Sequence, residues 1–372
     1  MQKPFKLAIL TSGGDSPGMN AAIRAATLLA IARGAEVVGV RAGYKGLLED
    51  EMVPLVADDV SGIIREGGTI LGSARSLVFR EPAGRVRARE HLMKRGIDGL
   101  LVIGGNGSLA GARALVDPAE APPEFTTKVI GLPASIDNDI AYTGMAIGVD
   151  TAMNTIVAAC DNISDTASAH DRAFIVEVMG RDSGYLAMSS GIAAAANAVL
   201  FRESGQTEEE LVERIAKVVL GARRKKGRAR RVLVIKAEGV GVPAERLKSL
   251  VDARLASDPA IDRTDPPETR VTVLGHIVRG GRPTAMDRIL GSRLAHVAVR
   301  ALLAGKSGLM AAWGPWAGTK VEAGERAEAD PQCWLVPITA VLEETERMLD
   351  GSNERAKWRK KLFEDISDVL AL

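Results

Sequence analysis

The chain has 372 residues, enough for two domains, and its 46% hydrophobic and 26% charged content excludes a disordered, collagen-like or disulfide-stapled protein. The 48 basic residues against 47 acidic ones leave a formal charge of +1, which disfavours a nucleic-acid binder. Glycine is abundant at 39 residues and aromatics are only 3%, which suits close approach of backbone to a ligand. Cys160 and Cys333, far apart in the chain, fit a reducing compartment better than a disulfide framework. The apolar stretch in MQKPFKLAILTSGGD is too short for a signal peptide. No run of 18 uninterrupted apolar residues occurs. The nearest, residues 184–201, is rich in Ala and Ser and reads as buried helix and strand. A cytoplasmic location is expected.

Apolar runs of strand length occur at 7–10, 37–40, 100–103, 129–132, 174–178, 232–235 and 271–274. Most are followed by a Gly-rich turn and a segment of helical period. Short apolar runs between helices predict parallel strands buried on both faces, hence an α/β fold with right-handed crossovers. The basic run ARRKKGRARR at 222–231 reads as a solvated helix end, with an anion or effector pocket as the alternative. Residues 353–372 read as one amphipathic helix, used for packing or an interface.

In doubly wound sheets, ligands bind at the carboxyl ends of strands. Five such ends carry unusually polar loops. TSGGDSPGMNAAIRAA places Gly13 and Gly14 at a strand-to-helix turn, where backbone N–H groups and a helix N-terminus favour a polyphosphate. It matches neither the GxxxxGKS/T nor the GxGxxG fingerprint, and a structural turn explains it as well. GGNGSLAGA, with Gly104, Gly105, Asn106 and Ser108, is either a second phosphate loop or a tight turn needing positive φ. In PASIDNDI, Asp137 and Asp139 stand two residues apart. Extended backbone would put both carboxylates on one side, as proton abstraction or metal binding requires, whereas an isolated DND run is also ordinary turn chemistry. MGRDSG and LGHIVRGG bring Arg181, His276 and Arg279, and arginines at strand ends match phosphate oxygens bidentately. Surface salt bridges and a core histidine are the bland alternatives.

Taken together in their order, TSGGDSPGMNAAIR, GGTILGSAR, GGNGS, PASIDNDI, HDR…EVMGRDSGYLA, AEG and ETRVTVLGHIVRGGRPTAMDR resemble the 6-phosphofructokinase family. The resemblance implies two Rossmann-like three-layer domains with mainly parallel sheets. The larger, donor-binding domain would hold residues 1–148 and 278–328. The smaller, sugar-phosphate domain would hold 149–277 and 329–372, with the substrates meeting in the cleft between them. The implied reaction is phosphoryl transfer to the 1-hydroxyl of fructose 6-phosphate, with Mg²⁺ as cofactor. Asp137 matches the base and Asp139 its assistant and metal ligand. Gly13, Gly14 and Arg75 would absorb the developing charge. Tyr44, Ser76, Arg80, Gly105, Asn106, Gly107 and Ser108 match donor-pocket positions. Ser135, Met179, Gly180, Arg181, Glu238, His276 and Arg279 match sugar-phosphate positions. Arg172 and Arg270 match arginines lent across a subunit interface, so a homo-oligomer, dimer or tetramer, is implied.

Departures from the family pattern set further expectations. Asn106 stands where the ATP-using members usually carry a Mg²⁺-binding Asp, and a neutral amide is a weaker ligand for a hard cation. Gly107 is the small residue that leaves room for ATP, and Ala134 stands where diphosphate-using relatives tend to carry Lys. Ser76 and Ala110 replace larger residues that flank adenine. Leu28 and Ala57 occupy positions of effector-binding arginines, so little response to ADP or phosphoenolpyruvate is expected. The reading is ATP-dependent phosphorylation of fructose 6-phosphate. The diphosphate-dependent enzyme and a non-catalytic sugar-phosphate sensor are the alternatives, while a dinucleotide dehydrogenase is disfavoured by the missing GxGxxG.

Overall fold

A computed structural model describes residues 3–170, 172–224, 231–259, 261, 267–314 and 324–370. In chain order the elements are β1 (Lys6–Ser12), α1 (Met19–Ala32), β2 (Glu36–Val40), α2 (Gly43–Leu48), β3 (Met52–Pro54), α3 (Pro82–Lys94), β4 (Gly99–Gly104), α4 (Asn106–Leu115), β5 (Lys128–Pro133) and α5 (Val149–His170). There follow β6 (Ala173–Val178), α6 (Tyr185–Ala193), β7 (Ala198–Leu200), α7 (Glu208–Arg223), β8 (Val232–Ala237), α8 (Ala244–Ala256), β9 (Thr269–Val273) and α9 (Ala285–Leu303). The chain closes with β10 (Leu309–Trp313), β11 (Glu325–Arg326), β12 (Cys333–Pro337), α10 (Ile338–Leu349) and α11 (Glu354–Leu370). All seven apolar runs fall on strands, with only Leu274 outside, since β9 ends at Val273, and the class is α/β. Residues 225–230 of the basic run lie outside the described residues.

Two compact units emerge. The first comprises residues 1–136, 140–151 and 279–347, and the second 137–139, 152–278 and 348–372. Residues 329–347 group with the first unit. The physical reason is a ladder: β12 pairs antiparallel with β10, which runs parallel beside β5, so this segment extends the first sheet.

The first unit is built on an eight-stranded sheet in the order β11-β12-β10-β5-β4-β1-β2-β3. Its central strand, β4, reads GLLVIG and is buried at all six positions, as a parallel strand covered on both faces must be. Small residues let α1 and α9 approach closely: a side chain on Gly291 would press against the Gly18 carbonyl and Ala22. The second unit has a four-stranded parallel sheet, β7-β8-β6-β9, whose core is Ile175, Leu200, Ile215, Val234, Leu247 and neighbours. The tail helix α11 belongs to it, with Phe363 set edge-on against Phe201 at 5.1 Å between ring centroids. Cys160 and Cys333 are free and buried, and burial pushes their thiols up to about 11 and about 12.

A buried cation holds α4 in place. Arg89 on α3 is 1% exposed and donates to the carbonyls of Ala114 (2.7 Å) and Leu115 (3.0 Å) in the last turn of α4, and to the Glu120 carbonyl at 3.1 Å. The Ala114 and Leu115 carbonyls are ones that a helix end leaves without intrahelical partners, and a cation there also suits the helix dipole. Arg89→Leu should strand them and cost about 2–4 kcal/mol, since each buried unsatisfied group costs about 1–3 kcal/mol. A fall of several degrees in thermal midpoint is expected, and an unchanged midpoint would refute the role.

Candidate active site

In the first unit three parallel strands end at one level. The registers pair Ser12 with Gly104 and Gly104 with Pro133, so the loops after β1, β4 and β5 emerge side by side. Gly13, at φ +88°, turns the chain there, and an added side chain would meet Ser108 Oγ at 3.2 Å. Gly104 has no room at all: a Cβ would run into the Ser12 carbonyl and the Ser108 side chain. Gly105 lies beside the Ala134 carbonyl and Ser135, with 3.9 Å between its Cβ position and the Ser135 Cβ. The N-terminus of α4 opens at Asn106 with Gly105 as its cap residue. A Cβ placed on Gly107, in the first turn, would meet nothing within 4 Å. The glycine amides and the helix N-terminus form an array of donors suited to phosphate oxygens.

The loop carrying Arg75 is tied to this array by neutral hydrogen bonds. Asn20 donates to the carbonyls of Glu66 (3.2 Å) and Gly67 (3.1 Å) and accepts from Ile70 N at 2.8 Å. Thr11 Oγ1 donates to the Gly72 carbonyl at 2.8 Å, and Ser73 Oγ to the Gly13 carbonyl at 2.5 Å. Arg75 itself is exposed. Tyr44 is 5% exposed, stacks on Phe79 at 4.0 Å, and donates its hydroxyl to the Ser108 carbonyl at 2.7 Å. Burial raises its phenol well above the usual range. It braces α4 from behind with its hydroxyl already engaged. Ser76 accepts from Phe79 N at 3.3 Å, while Arg80 is exposed.

Arg279 counts with the first unit; its Nη1 donates to the Asp15 carbonyl at 3.4 Å, and it lies 2.7 Å from the Cβ position of Gly14. The guanidinium expected to hold the sugar phosphate thus rests beside the glycine loop.

In the second unit the same strand-end logic gathers the other residues. Val178 pairs with Ala237, so the loops after β6 and β8 leave together. Gly180, at φ +126°, donates to Glu238 Oε1 at 3.4 Å, and Gly239 donates to the Gly180 carbonyl at 3.2 Å. Leu274 N donates to the Glu177 carbonyl at 2.9 Å, which fixes the turn Gly275–Arg279 that carries His276 beside them. Arg181 and His276 are exposed. Met179 is buried at 7%. Arg172 and Arg270 both pair with Glu268 at the sheet edge, Arg172 at 2.7 Å. Asp137 and Asp139 group with this unit, flanking Asn138 at φ +47°.

Sequence reasoning passed over the pair beneath these loops. Lys236, 1% exposed, donates to Glu177 at 2.8 Å and to the Ala237 carbonyl at 3.2 Å. A signal existed: FIVEV and VLVIKA each carry one charge, and the parallel register sets Glu177 opposite Lys236. Among the described residues, no group of three or more His, Cys, Asp or Glu side chains is placed to hold a metal, and no helix is long and apolar enough to cross a membrane.

The phosphofructokinase family matches residues 6–302. The chain belongs to the phosphofructokinase family. It is 45% identical to an ATP-dependent 6-phosphofructokinase of Thermotoga neapolitana over 82% of this chain and 89% of that one. It is 47% identical to an ATP-dependent 6-phosphofructokinase of Brevibacillus brevis over 82% and 88%. Among solved structures it resembles Pichia pastoris phosphofructokinase in the T-state, with a TM-score of 0.85 and 32% identity. That likeness covers 100% of this chain but only 40% of the Pichia chain.

The lack of space at Gly104 gives a direct test. Gly104→Ala should push β1 and α4 apart, cost about 1–3 kcal/mol of stability as overpacking does, and lower turnover more than it raises sugar-phosphate KM. Wild-type kinetics and stability in this variant would show that the strand ends are not so closely joined.

Proposed function

We propose that this phosphofructokinase is an ATP-dependent 6-phosphofructokinase of glycolysis. It transfers the γ-phosphoryl group of ATP to the 1-hydroxyl of fructose 6-phosphate, giving fructose 1,6-bisphosphate and ADP. Asp137 takes the hydroxyl proton, the sugar oxygen bonds to the γ-phosphorus, and the bond from phosphorus to the bridging oxygen breaks as ADP leaves. Positioning and electrostatics dominate such transfers. The Gly13 and Gly14 amides and the α4 N-terminus, with Gly105, Asn106, Gly107 and Ser108, therefore hold the phosphates, and Arg75 neutralises charge moving toward the leaving group. Arg279, lying on Gly14, adds a second cation. Arg181, Glu238 and His276, with the backbone of Met179 and Gly180, hold the sugar phosphate, and Ser135 faces the transferred group.

The observation that carries the donor assignment is the open space in front of Gly107, where nothing lies within 4 Å. A carboxylate there would repel and crowd a nucleotide. Ala134 likewise supplies no charge to recruit diphosphate. Asn106 favours the second reading, a diphosphate-dependent enzyme, because it removes one expected Mg²⁺ ligand.

Mg²⁺ fits the chain as a metal carried on the donor's phosphates rather than in a protein cage. Among the described residues no three His, Cys, Asp or Glu side chains are grouped to cage a metal, and Mg²⁺ keeps several waters and substrate oxygens. Asp139 would be its carboxylate ligand and Asn106 a weak one. When bound, the metal neutralises phosphate charge. Arg172 and Arg270, held together by Glu268, suit donation to the sugar phosphate of a second copy, which makes the working unit a dimer or tetramer. A cytoplasmic location accords with the substrates.

The two-donor assay tests this reading. Purified protein should turn over with fructose 6-phosphate and ATP, and turnover with diphosphate alone would overturn the donor assignment. Gly107→Asp should raise KM for ATP at least tenfold. Asp137→Asn should lower kcat by roughly 10²–10⁴, the usual worth of a general base, while calorimetry still detects sugar-phosphate binding. Undiminished kcat would remove Asp137 from the role, whereas a wild type that binds fructose 6-phosphate but turns over with neither donor would make a sensor the better reading. Because Leu28 and Ala57 cannot grip an effector phosphate, saturation by fructose 6-phosphate should be hyperbolic and insensitive to ADP and phosphoenolpyruvate. Sigmoidal curves relieved by ADP would contradict this.

A further inference from the structure

The family match ends at residue 302, yet a side chain far beyond it reaches the Asp137–Asn138–Asp139 run. Arg359, on α11, donates from Nη1 to the Asn138 carbonyl at 3.2 Å. Its guanidinium carbon stacks over the Tyr185 ring at 4.4 Å from the centroid, and Met348 Sδ lies 4.0 Å away. Stacking and hydrogen bond together fix both the plane and the position of the guanidinium, which a lysine ammonium could not reproduce. The group it grips is a sensitive one. Asn138 is a non-glycine residue at φ +47°, a left-handed turn that sets the directions in which the two flanking carboxylates leave the chain. Burial lowers the Arg359 pKa to about 10, and Tyr185, Glu203 and Asp139 act the other way, so it stays charged at neutral pH.

We infer that Arg359 is a positioning residue for phosphoryl transfer: the C-terminal helix supplies a fixed cation that clamps the Asn138 carbonyl and so holds Asp137 and Asp139 in their working directions. The inference rests on the reading of Asp137 as the base. It also gives α11 a purpose beyond packing, since the clamp lies on a helix that the family-matched part of the chain does not contain.

The experiment compares Arg359→Met, Arg359→Lys and Arg359→Ala with wild type and with Asp137→Asn. Arg359→Met should lower kcat by about tenfold or more, the scale on which small misplacements act, with both KM values within about threefold of wild type. Arg359→Lys should be intermediate. Millimolar guanidinium added to Arg359→Ala should recover part of the lost kcat without raising its thermal midpoint, which a purely structural role would not produce. If Arg359→Met retains wild-type kcat while Asp137→Asn has lost it, the clamp is refuted. If Arg359→Met does not fold, Arg359→Lys decides, and wild-type kcat in it refutes the clamp. If Asp137→Asn itself keeps full activity, the base assignment has failed instead.

Discussion

A side chain cannot be added at Gly104, and much of the donor-side geometry follows from that one exclusion. The β1 and β4 ends lie so close that the Ser12 carbonyl occupies the space a Cβ would take. Close approach puts the Gly13 turn against the start of α4, where a Cβ on Gly13 would lie 3.2 Å from Ser108 Oγ and 3.9 Å from Gly105 N. Backbone amides aimed in advance need no reorganisation when charge moves, which is why such arrays stabilise transferring phosphoryl groups well. The cost is that the array must be held from behind. Tyr44 and Arg89 do this, one on the first turn of α4 and the other on its last.

The second unit reaches the same end by other means. Its strand-end loops carry charged side chains, and beneath them the buried Lys236 pairs with the half-buried Glu177. A buried ion pair is weak evidence for stability, because desolvation offsets much of its attraction. Its more useful consequence is directional. Lys236 also bonds the Ala237 carbonyl, one residue before Glu238, and Glu238 accepts from Gly180. The chain of contacts links strand interior to loop, so the direction of Glu238 is set from inside the sheet.

The fold was legible because its strands are short apolar runs bounded by glycine, and parallel strands buried on both faces leave that pattern. Segments less apolar, or outside the pattern, were harder. β10 and β12 lie outside the seven apolar runs, and the parallel pairing of β10 with the distant β5 leaves no local trace in the sequence. Glycine loops were visible because close backbone approach restricts residue type, whereas the Asp137–Asp139 stretch is not the extended run that the period-two argument assumed, since Asn138 between them is left-handed at φ +47°. Tyr44 was visible as a position, but its burial was not, since a hydroxyl spent on the Ser108 carbonyl looks the same in sequence as one facing a ligand. Arg279 sat in a legible motif, yet only packing could show that it lies on Gly14.

The proposed site roles divide the electrostatic labour between the two units. On the proposed reading, the first unit meets a donor that brings its own metal, so neutral amides and a few arginines suffice, and Asn106 in place of a carboxylate is tolerable. The second meets a sugar phosphate without a metal, so guanidinium and imidazole must supply the counter-charge. Arg359 differs from the arginines of the strand-end loops in being immobilised: it is bonded to the carbonyl between the two aspartates and stacked over the Tyr185 ring, so its hydrogen-bonding capacity is spent on the backbone turn rather than left for a ligand.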